Sequence, residues 1–598
     1  MKEENHSHVT KTLEYSDLFD GSTNESNSFL IGINKRWLIE GVVHMISVDC
    51  FDSFSMDAER GLQVMFQDYM ENAEVKRLFQ RLKEQKGIYK DTWLTLINHR
   101  ALFRLLTAVL LLPNERAGIG ESFEAYVALL KAILAENSIE MLNEKEILGK
   151  IDGEAEIRDA KIIMQQDILN LDQFGENKKE LEKAQLLKFL ALSNFGKEHK
   201  EVGEAIKRVV EKHGFPNEFN YMLLAQMPLT VYHDKENFKE GLYYVRRQDY
   251  EKNNALELWD KFVTYISDKC IDIWSREKMN TIFTEQELLD YTCFRKYPVL
   301  RMSEVEYLIA SQPYYTHLIY DGFWWSIKEE LRHEYSEKAT MNILTKEFSE
   351  KQLFYKLVKL MIGDKRIHIY NDHCFEAQKS APDTAIKSRH HLYIFEYKDM
   401  RVHRRVSDGK DIDLMMDFID DRLNKNKDNH YGNKGLPQLV SNMEDFFIGE
   451  KPWKEFNGKE RIVVHPIIVV NSRLFGVRGI NYILKQKLKQ RILESEILKK
   501  HVKDIDDLLV IDYDMLLLVV SWSYKDLGKF HNLMYSYQTK VRKGQNTMTR
   551  CDSYRHYVMN KWELEMSEKD KRKFIRGYKK MVKSMVGNKG IQSEGDEP

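Results

Sequence analysis

The stretch APDTAIKSRHHLYIFEYKD, residues 381–399, decides how this chain is read. TAIK is a short strand-like piece, SRHH is polar and turn-forming, and LYIFEYKD is an apolar run that ends in charges. That succession predicts a β-hairpin whose second arm is a buried strand. Asp383 starts the first arm, and Glu396 lies 13 positions later near the end of the second. A reversal at SRHH brings these two ends together, because the arms on either side are of similar length. Glu396 and Lys398 are two residues apart, so on a strand they point to one face while the Tyr397 side chain points to the other.

Two carboxylates and an ammonium at one edge of a sheet suit the cleavage of a phosphodiester. A hard divalent cation, Mg2+ or Mn2+, offsets charge on the scissile phosphate and acidifies an attacking water, and carboxylate oxygens are its natural ligands. Asp383 and Glu396 are the expected metal ligands, with the Tyr397 backbone carbonyl as a further one. Lys398 is placed to orient the water or to stabilise developing negative charge. Glu-x-Lys alone carries little information, since ENK at 176–178 and EHK at 198–200 match it as well. The combination is what counts: this instance closes an apolar strand, follows Pro382-Asp383, and sits behind a helix. Asp372, 24 positions before Glu396, competes for the place of the first carboxylate. Asp383 is preferred because it begins the strand that must pair with LYIFEYK, whereas Asp372 sits within a strand-like apolar context.

Working outward, KEFSEKQLFYKLVKLMIG before the hairpin reads as a helix, and RIHIYNDHCFEA as strand-like. After the hairpin come a polar helical region, DGKDIDLMMDFIDDRLNKNKDN, and a glycine-marked helix start, YGNKG, leading into LPQLVSNMEDFF. RIVVHPIIVV and DLLVIDYDMLLLV read as two buried strands, separated by the lysine-rich helix INYILKQKLKQRILESEILKKHV. This order describes an α/β domain over 341–545, about a third of the chain. The segment resembles the PD-(D/E)XK nuclease superfamily, whose members share the order helix, hairpin, helix, strand. The resemblance implies a restriction-endonuclease-like mixed sheet flanked by helices. It implies metal-binding roles for Asp383 and Glu396, a catalytic lysine at Lys398, and a glutamine at Gln438 that positions substrate or lysine. It also implies a glutamate on the helix before the hairpin, for which Glu347 and Glu350 both stand at suitable places.

The N-terminal half lies outside that resemblance. Residues 1–28 are polar and read as a flexible arm, and 29–300 show apolar residues at three- and four-residue steps, the pattern of a helical domain. A connector at 301–340 mixes strand-like pieces with Tyr314, Tyr315, Phe323, Trp324 and Trp325. These aromatics read as packing rather than as a platform for nucleobases. Residues 546–598 form a basic helical extension with a flexible tail. The expected architecture is therefore an α-helical N-terminal region plus a C-terminal α/β domain.

Bulk composition narrows the function classes. The 598 residues carry a formal net charge of −2, so any affinity for a polyanion must be local. Basic residues do cluster in the C-terminal half: Arg401, Arg404 and Arg405; Lys485, Lys487, Lys489, Arg491, Lys499, Lys500 and Lys503; Lys571, Arg572, Lys573, Arg576, Lys579 and Lys580. Such stripes are the footprint of phosphate-backbone contact and point to nucleic acid, DNA first. Five scattered cysteines form no CxxC pair, which argues against a zinc knuckle or a disulfide framework and fits a reducing cytoplasm. His373, His390 and His391 show no second ligand at zinc spacing and read as surface histidines. The longest apolar run, 101–113, is broken by Arg104 and is too short to span a bilayer, so no membrane partner is expected. The N-terminus has no secretory pattern. No phosphate loop or GxSxG elbow occurs. The expectation is a Mg2+-dependent nuclease acting on DNA, able to form a homo-oligomer, and by analogy of architecture suited to bacterial defence against foreign DNA. The alternative is a non-catalytic nucleic-acid- or protein-binding protein that has kept an inactive nuclease fold.

Overall fold

The computed structural model describes residues 9–21, 23, 25–49, 57–90, 92–113, 118–169, 178–232, 242–282, 293–363, 367–371, 381–400, 402, 406, 411–425, 435–449, 453 and 461–586. The chain forms two compact units, each built from two separate stretches: Met1–Gly149 with Val210–Gly322, and Lys150–Val209 with Phe323–Pro598.

The first unit is mainly helical. Helices Lys35–Asp49, His99–Leu111 and Phe123–Gly149 bring Leu38, Val42, Leu102, Leu106, Leu130 and Ile133 into one core. The apolar run at 101–113 is thus core helix. Arg104 is accommodated within it by Glu136 at 3.0 Å and Glu140 at 3.2 Å. No helix among the described residues is long and apolar enough to cross a membrane. The expectation of a free arm over 1–28 needs correction. Val9–Thr12 pairs in parallel with Thr92–Thr95, and Leu13, Leu18 and Leu30 are buried in the core. Strand content is also richer than the helical pattern suggests. A four-stranded sheet runs in the order Tyr244–Arg246, Glu306–Ile309, Val299–Ser303, Cys270–Asp272. Three- to five-residue strands are too short to show a period of two. Tyr314 and Tyr315 are buried in this unit, and Phe323 and Trp324 are buried in the other; Trp325 alone of the five is exposed. The four buried rings therefore serve packing, as expected.

The second unit is organised by a five-stranded sheet. Its strands are β1 (His368–Asn371), β2 (Thr384–Ser388), β3 (His391–Lys398), β4 (Val463–Val470) and β5 (Leu509–Asp512). They lie side by side in the order β5-β4-β3-β2-β1. β1, β2 and β3 are successively antiparallel, whereas β4 runs parallel to β3 and β5 parallel to β4. The β2–β3 hairpin turns over Arg389 and His390, between paired Ser388 and His391, with Arg389 at φ +50°. β3 is therefore central, and every residue from Leu392 to Tyr397 is buried.

Helices that matter for the site are α1 (Asn342–Tyr355, with wide π-type winding), α2 (Leu436–Ile448), α3 (Ile480–Glu494), α4 (Tyr513–Trp522), α5 (Leu527–Arg542) and α6 (Glu568–Val586). DLLVIDYDMLLLV is only half a strand: β5 stops at Asp512, and the remainder is α4. Asp512 accepts from the Met515 amide at 3.0 Å and so caps the helix. A continuous apolar run does not distinguish a buried strand from a buried helix, and the cap decides.

Pro466 lies inside central β4, where a missing N–H ordinarily breaks the ladder. Val464, which like Pro466 faces β5, accepts the Asp506 amide at 2.8 Å. β5 begins only at Leu509, and the Asp507 carbonyl is satisfied by Gln538 Nε2 at 2.7 Å. The proline thus sits where the ladder has a gap.

Residues 150–209 belong to this unit through specific polar ties. Asp167 receives Arg478 at 2.6 Å, and Lys188 meets Asp514 at 2.5 Å. Asp514 is buried and also takes Arg473 at 2.8 Å. Burial alone would raise its carboxyl, but the two cations outweigh it and hold the group well below the usual range. Its contribution to stability is therefore present above the unfolded value near 3.8 and is lost as pH falls below it. Asp514→Ala strands two buried cations, and urea denaturation at pH 7 is expected to show a loss of about 3–5 kcal/mol. A loss below about 1 kcal/mol would mean the triad is not needed.

Candidate active site

Glu396 and Lys398 leave β3 on one face, and the Tyr397 ring leaves on the other. That ring stacks on Phe354 of α1 at 4.8 Å between centroids, with an 11° tilt. Phe354 also meets Phe395 at 6.2 Å. Packing of these alternate side chains against α1 fixes the strand's rotation, which in turn commits Glu396 and Lys398 to the opposite face.

Asp383 stands one residue ahead of β2, level with the end of β3. Its Oδ2 accepts the Tyr397 amide at 2.6 Å and continues the ladder past the last strand pair. The Lys398 carbonyl accepts the Asn471 amide from the β4 side at 2.9 Å. Backbone groups alternate sides along a strand, so the Tyr397 carbonyl faces the same side as its amide, toward Asp383. The carboxylate and the carbonyl proposed as partners in metal binding thus belong to one corner of the sheet.

The Lys398 ammonium contacts Glu396 Oε1 directly. Glu396 is fully buried, and its Oε2 makes no hydrogen bond among the described residues. Burial, reinforced by the like charge of Asp383, pushes its carboxyl well above the usual range, against the pull of Lys398 and of the Gly435 amide. For Lys398 burial works downward, yet the carboxylates of Glu396, Asp383 and Glu350 outweigh it and push the ammonium up to about 12. Three acids therefore act on one amine. Glu350 is thereby separated from Glu347, which is tied to Lys351 at 3.0 Å.

A buried carboxylate oxygen without a donor is costly unless something electropositive meets it. Asp383, the Tyr397 carbonyl and Glu396 offer oxygen donors only, the kind that suits Mg2+ or Mn2+ rather than a softer ion. The residues present fit the expected cation.

Gln438, on the first turn of α2, is buried and donates through Nε2 to the Ala381 carbonyl at 2.8 Å. It holds the loop that carries Asp383, so its place is that of a positioning residue and not of a partner to Lys398. Gly435, at the start of the same helix, did not figure among the expected site residues. Its φ is +69°, and a Cβ there would lie 2.5 Å from the Leu423 carbonyl oxygen. Only glycine lets the first amide of α2 approach Glu396 this way. Its signal was visible as the glycine before LPQ.

Asp372 and His373 lie outside the described residues, as do Arg401, Arg404 and Arg405. His390 is exposed, as expected, but His391 is not a plain surface residue: its Nδ1 lies 2.9 Å from His465 Nε2. Within the lysine-rich stretch at 484–503, the part from Lys485 to Arg491 needs correction as a phosphate-binding stripe, whereas Lys499, Lys500 and Lys503 are exposed. Lys485 is buried, Lys487 pairs with Asp420 at 2.8 Å, Lys489 lies 3.7 Å from Asp507, and Arg491 donates to Asn424 at 2.8 Å. On α6, by contrast, Arg572, Arg576, Lys579, Lys580 and Lys583 are exposed along one face, opposite buried Phe574, Met581 and Met585.

The coupling of the two acids is measurable. Asp383→Asn removes the like charge, so the Glu396 titration, followed by carbon-13 NMR of its carboxyl, is expected to move to lower pH. No movement would mean that the two carboxyls do not share a field. No family model, curated protein or solved structure matches the chain, and the functional reading rests on this geometry.

Proposed function

We propose that residues 341–545 form a restriction-endonuclease-like domain of the PD-(D/E)XK type, and that it hydrolyses phosphodiester bonds of DNA with Mg2+ or Mn2+. The observation that carries the reading is the meeting of Asp383, Glu396 and Lys398 at one end of β3, where the Glu396 carboxyl is fully buried. The strand order supports it as well: an antiparallel hairpin bearing the acids, then a helix, then a strand parallel to the lysine strand. Asp383, Glu396 and the Tyr397 carbonyl would hold the cation. When bound, that ion neutralises phosphate charge and lowers the pKa of water.

This chain's own groups do the rest. Lys398 keeps its proton at neutral pH, so it serves as a fixed donor to the attacking water or to the phosphate, not as a base. Hydrolysis forms a P–O bond to the water oxygen and breaks the bond to the leaving sugar oxygen; the attacking water gives up one proton to solvent, and the leaving oxygen takes one from a solvent water to become a hydroxyl. Glu350 helps hold Lys398 charged. Gln438 keeps Asp383 in register with Tyr397.

Purified full-length protein is expected to cut DNA only with Mg2+ or Mn2+, and Glu396→Ala and Lys398→Ala are each expected to lose at least about a hundredfold in rate. Equal activity in all three proteins sinks the mechanism, and an RNA substrate in parallel tests the choice of nucleic acid. Metal-independent DNA binding without cleavage would favour the inactive-fold alternative. The exposed face of α6 supplies a second test. Alanine at Arg572, Arg576, Lys579 and Lys580 is expected to make the slope of log affinity against log salt shallower by about 2–4. An unchanged slope would remove α6 from the DNA contact.

A further inference from the structure

The opposite end of β3 carries a different chemistry. His391 opens β3, His465 lies on β4 beside it, and His531 comes from α5. One ring nitrogen from each lies within 4.8 Å of the others. His391 Nδ1 and His465 Nε2 are 2.9 Å apart, and the His391 and His531 rings are 4.4 Å between centroids. His465 is buried, while His391 and His531 are partly exposed, so the cluster has both a floor and a mouth.

Two of the three rings are fixed from outside. Asp506 Oδ2 lies 3.0 Å from His465 Nδ1, which leaves that ring's Nε2 facing His391. The Tyr393 hydroxyl lies 2.8 Å from His531 Nδ1, and the Tyr393 ring stacks on His465 at 4.9 Å. A carboxylate behind a histidine is the usual outer support of a metal-bound imidazole, because it sets the tautomer and raises ligand basicity. Asp506 is itself held by Arg542.

The facing nitrogens need a reason. Two neutral imidazoles 2.9 Å apart share one hydrogen, and a third ring brings its nitrogen to within 4.8 Å of theirs. A metal ion takes the neutral form of each imidazole, with one ring nitrogen directed at it.

We propose that His391, His465 and His531 bind one borderline divalent transition ion, Zn2+ above all, through three imidazole nitrogens with a fourth position open to water. Nitrogen donors and tetrahedral geometry select this class over Mg2+ and Ca2+. The ion ties the start of β3 and β4 to α5. His391 stands five residues before Glu396, roughly 16 Å along the strand, so the site is separate from the carboxylates and does not depend on the nuclease reading.

The test uses the full chain carrying Glu396→Gln, so that the carboxylate corner cannot hold the ion counted. Stripped of metal and titrated with Co2+, this protein is expected to bind one equivalent with the visible absorption of a four-coordinate nitrogen site. Zn2+ is expected to displace it and to raise the melting temperature by at least about 3 °C. Adding His531→Gln, or His391→Asn as the second variant, is expected to abolish absorption, stoichiometry and thermal shift, with folding confirmed by circular dichroism. No bound equivalent in the parent, or one equivalent still bound in both folded variants, overturns the proposal.

Discussion

A buried carboxyl with a partly exposed ammonium against it, at the end of a central strand, sets the terms for the second unit. Glu396 has no exposure, and Lys398 touches it directly. Taking such a pair out of water costs several kcal/mol per ion, which the mutual attraction offsets only with good geometry around it. That geometry comes from every neighbour of β3. β4 and β2 cover its two edges, Phe354 locks the Tyr397 ring, the Gly435 amide approaches Glu396, and Asp383 closes the ladder at Tyr397. Glu396 resists ionisation while Lys398 beside it favours it, and carboxyls perturbed by burial in this way cluster at functional sites.

The hairpin was legible because its signals are local. An apolar run closed by charges, a polar turn, and a two-residue spacing are properties of adjacent residues, and β2 and β3 follow them closely. The corner formed by Asp383 and Glu396 needed only equal arm lengths. The choice between Glu347 and Glu350 was not legible, since both sit on one helix and only α1's wide winding and its packing decide which carboxylate acts on Lys398. Gln438 was visible as a glutamine on the right helix, but its partner, Ala381, could be known only from the fold.

Charge was the least legible property. Lys485, Lys487, Lys489 and Arg491 look like one basic stripe, yet their partners Asp420, Asn424 and Asp507 come from segments 18 to 67 positions away in the chain or are replaced by burial. The spacing of a helix tells which lysines share a face, not whether the protein itself already answers them. The same limit hid residues 150–209, whose helical pattern matches the first unit but whose Asp167 and Lys188 find their partners, Arg478 and Asp514, in the second. It also hid His465 and His531, 74 and 140 positions after His391, far beyond any zinc spacing.

β3 thus presents oxygen donors at one end and imidazoles at the other, and the separation has a chemical logic. A transition ion prefers nitrogen and would also bind carboxylates, since affinity for mixed donors rises from Mn2+ toward Zn2+ and Cu2+. A corner of acids proposed to hold Mg2+ would be open to such an ion as well. Under the two proposals, the three imidazoles offer it a better home at the other end of β3. Mg2+, which dehydrates reluctantly and favours oxygen, gains nothing from the histidines and is left to the carboxylates. Two ions of different hardness can therefore share one sheet without competing, because each end of β3 is the poorer choice for the other.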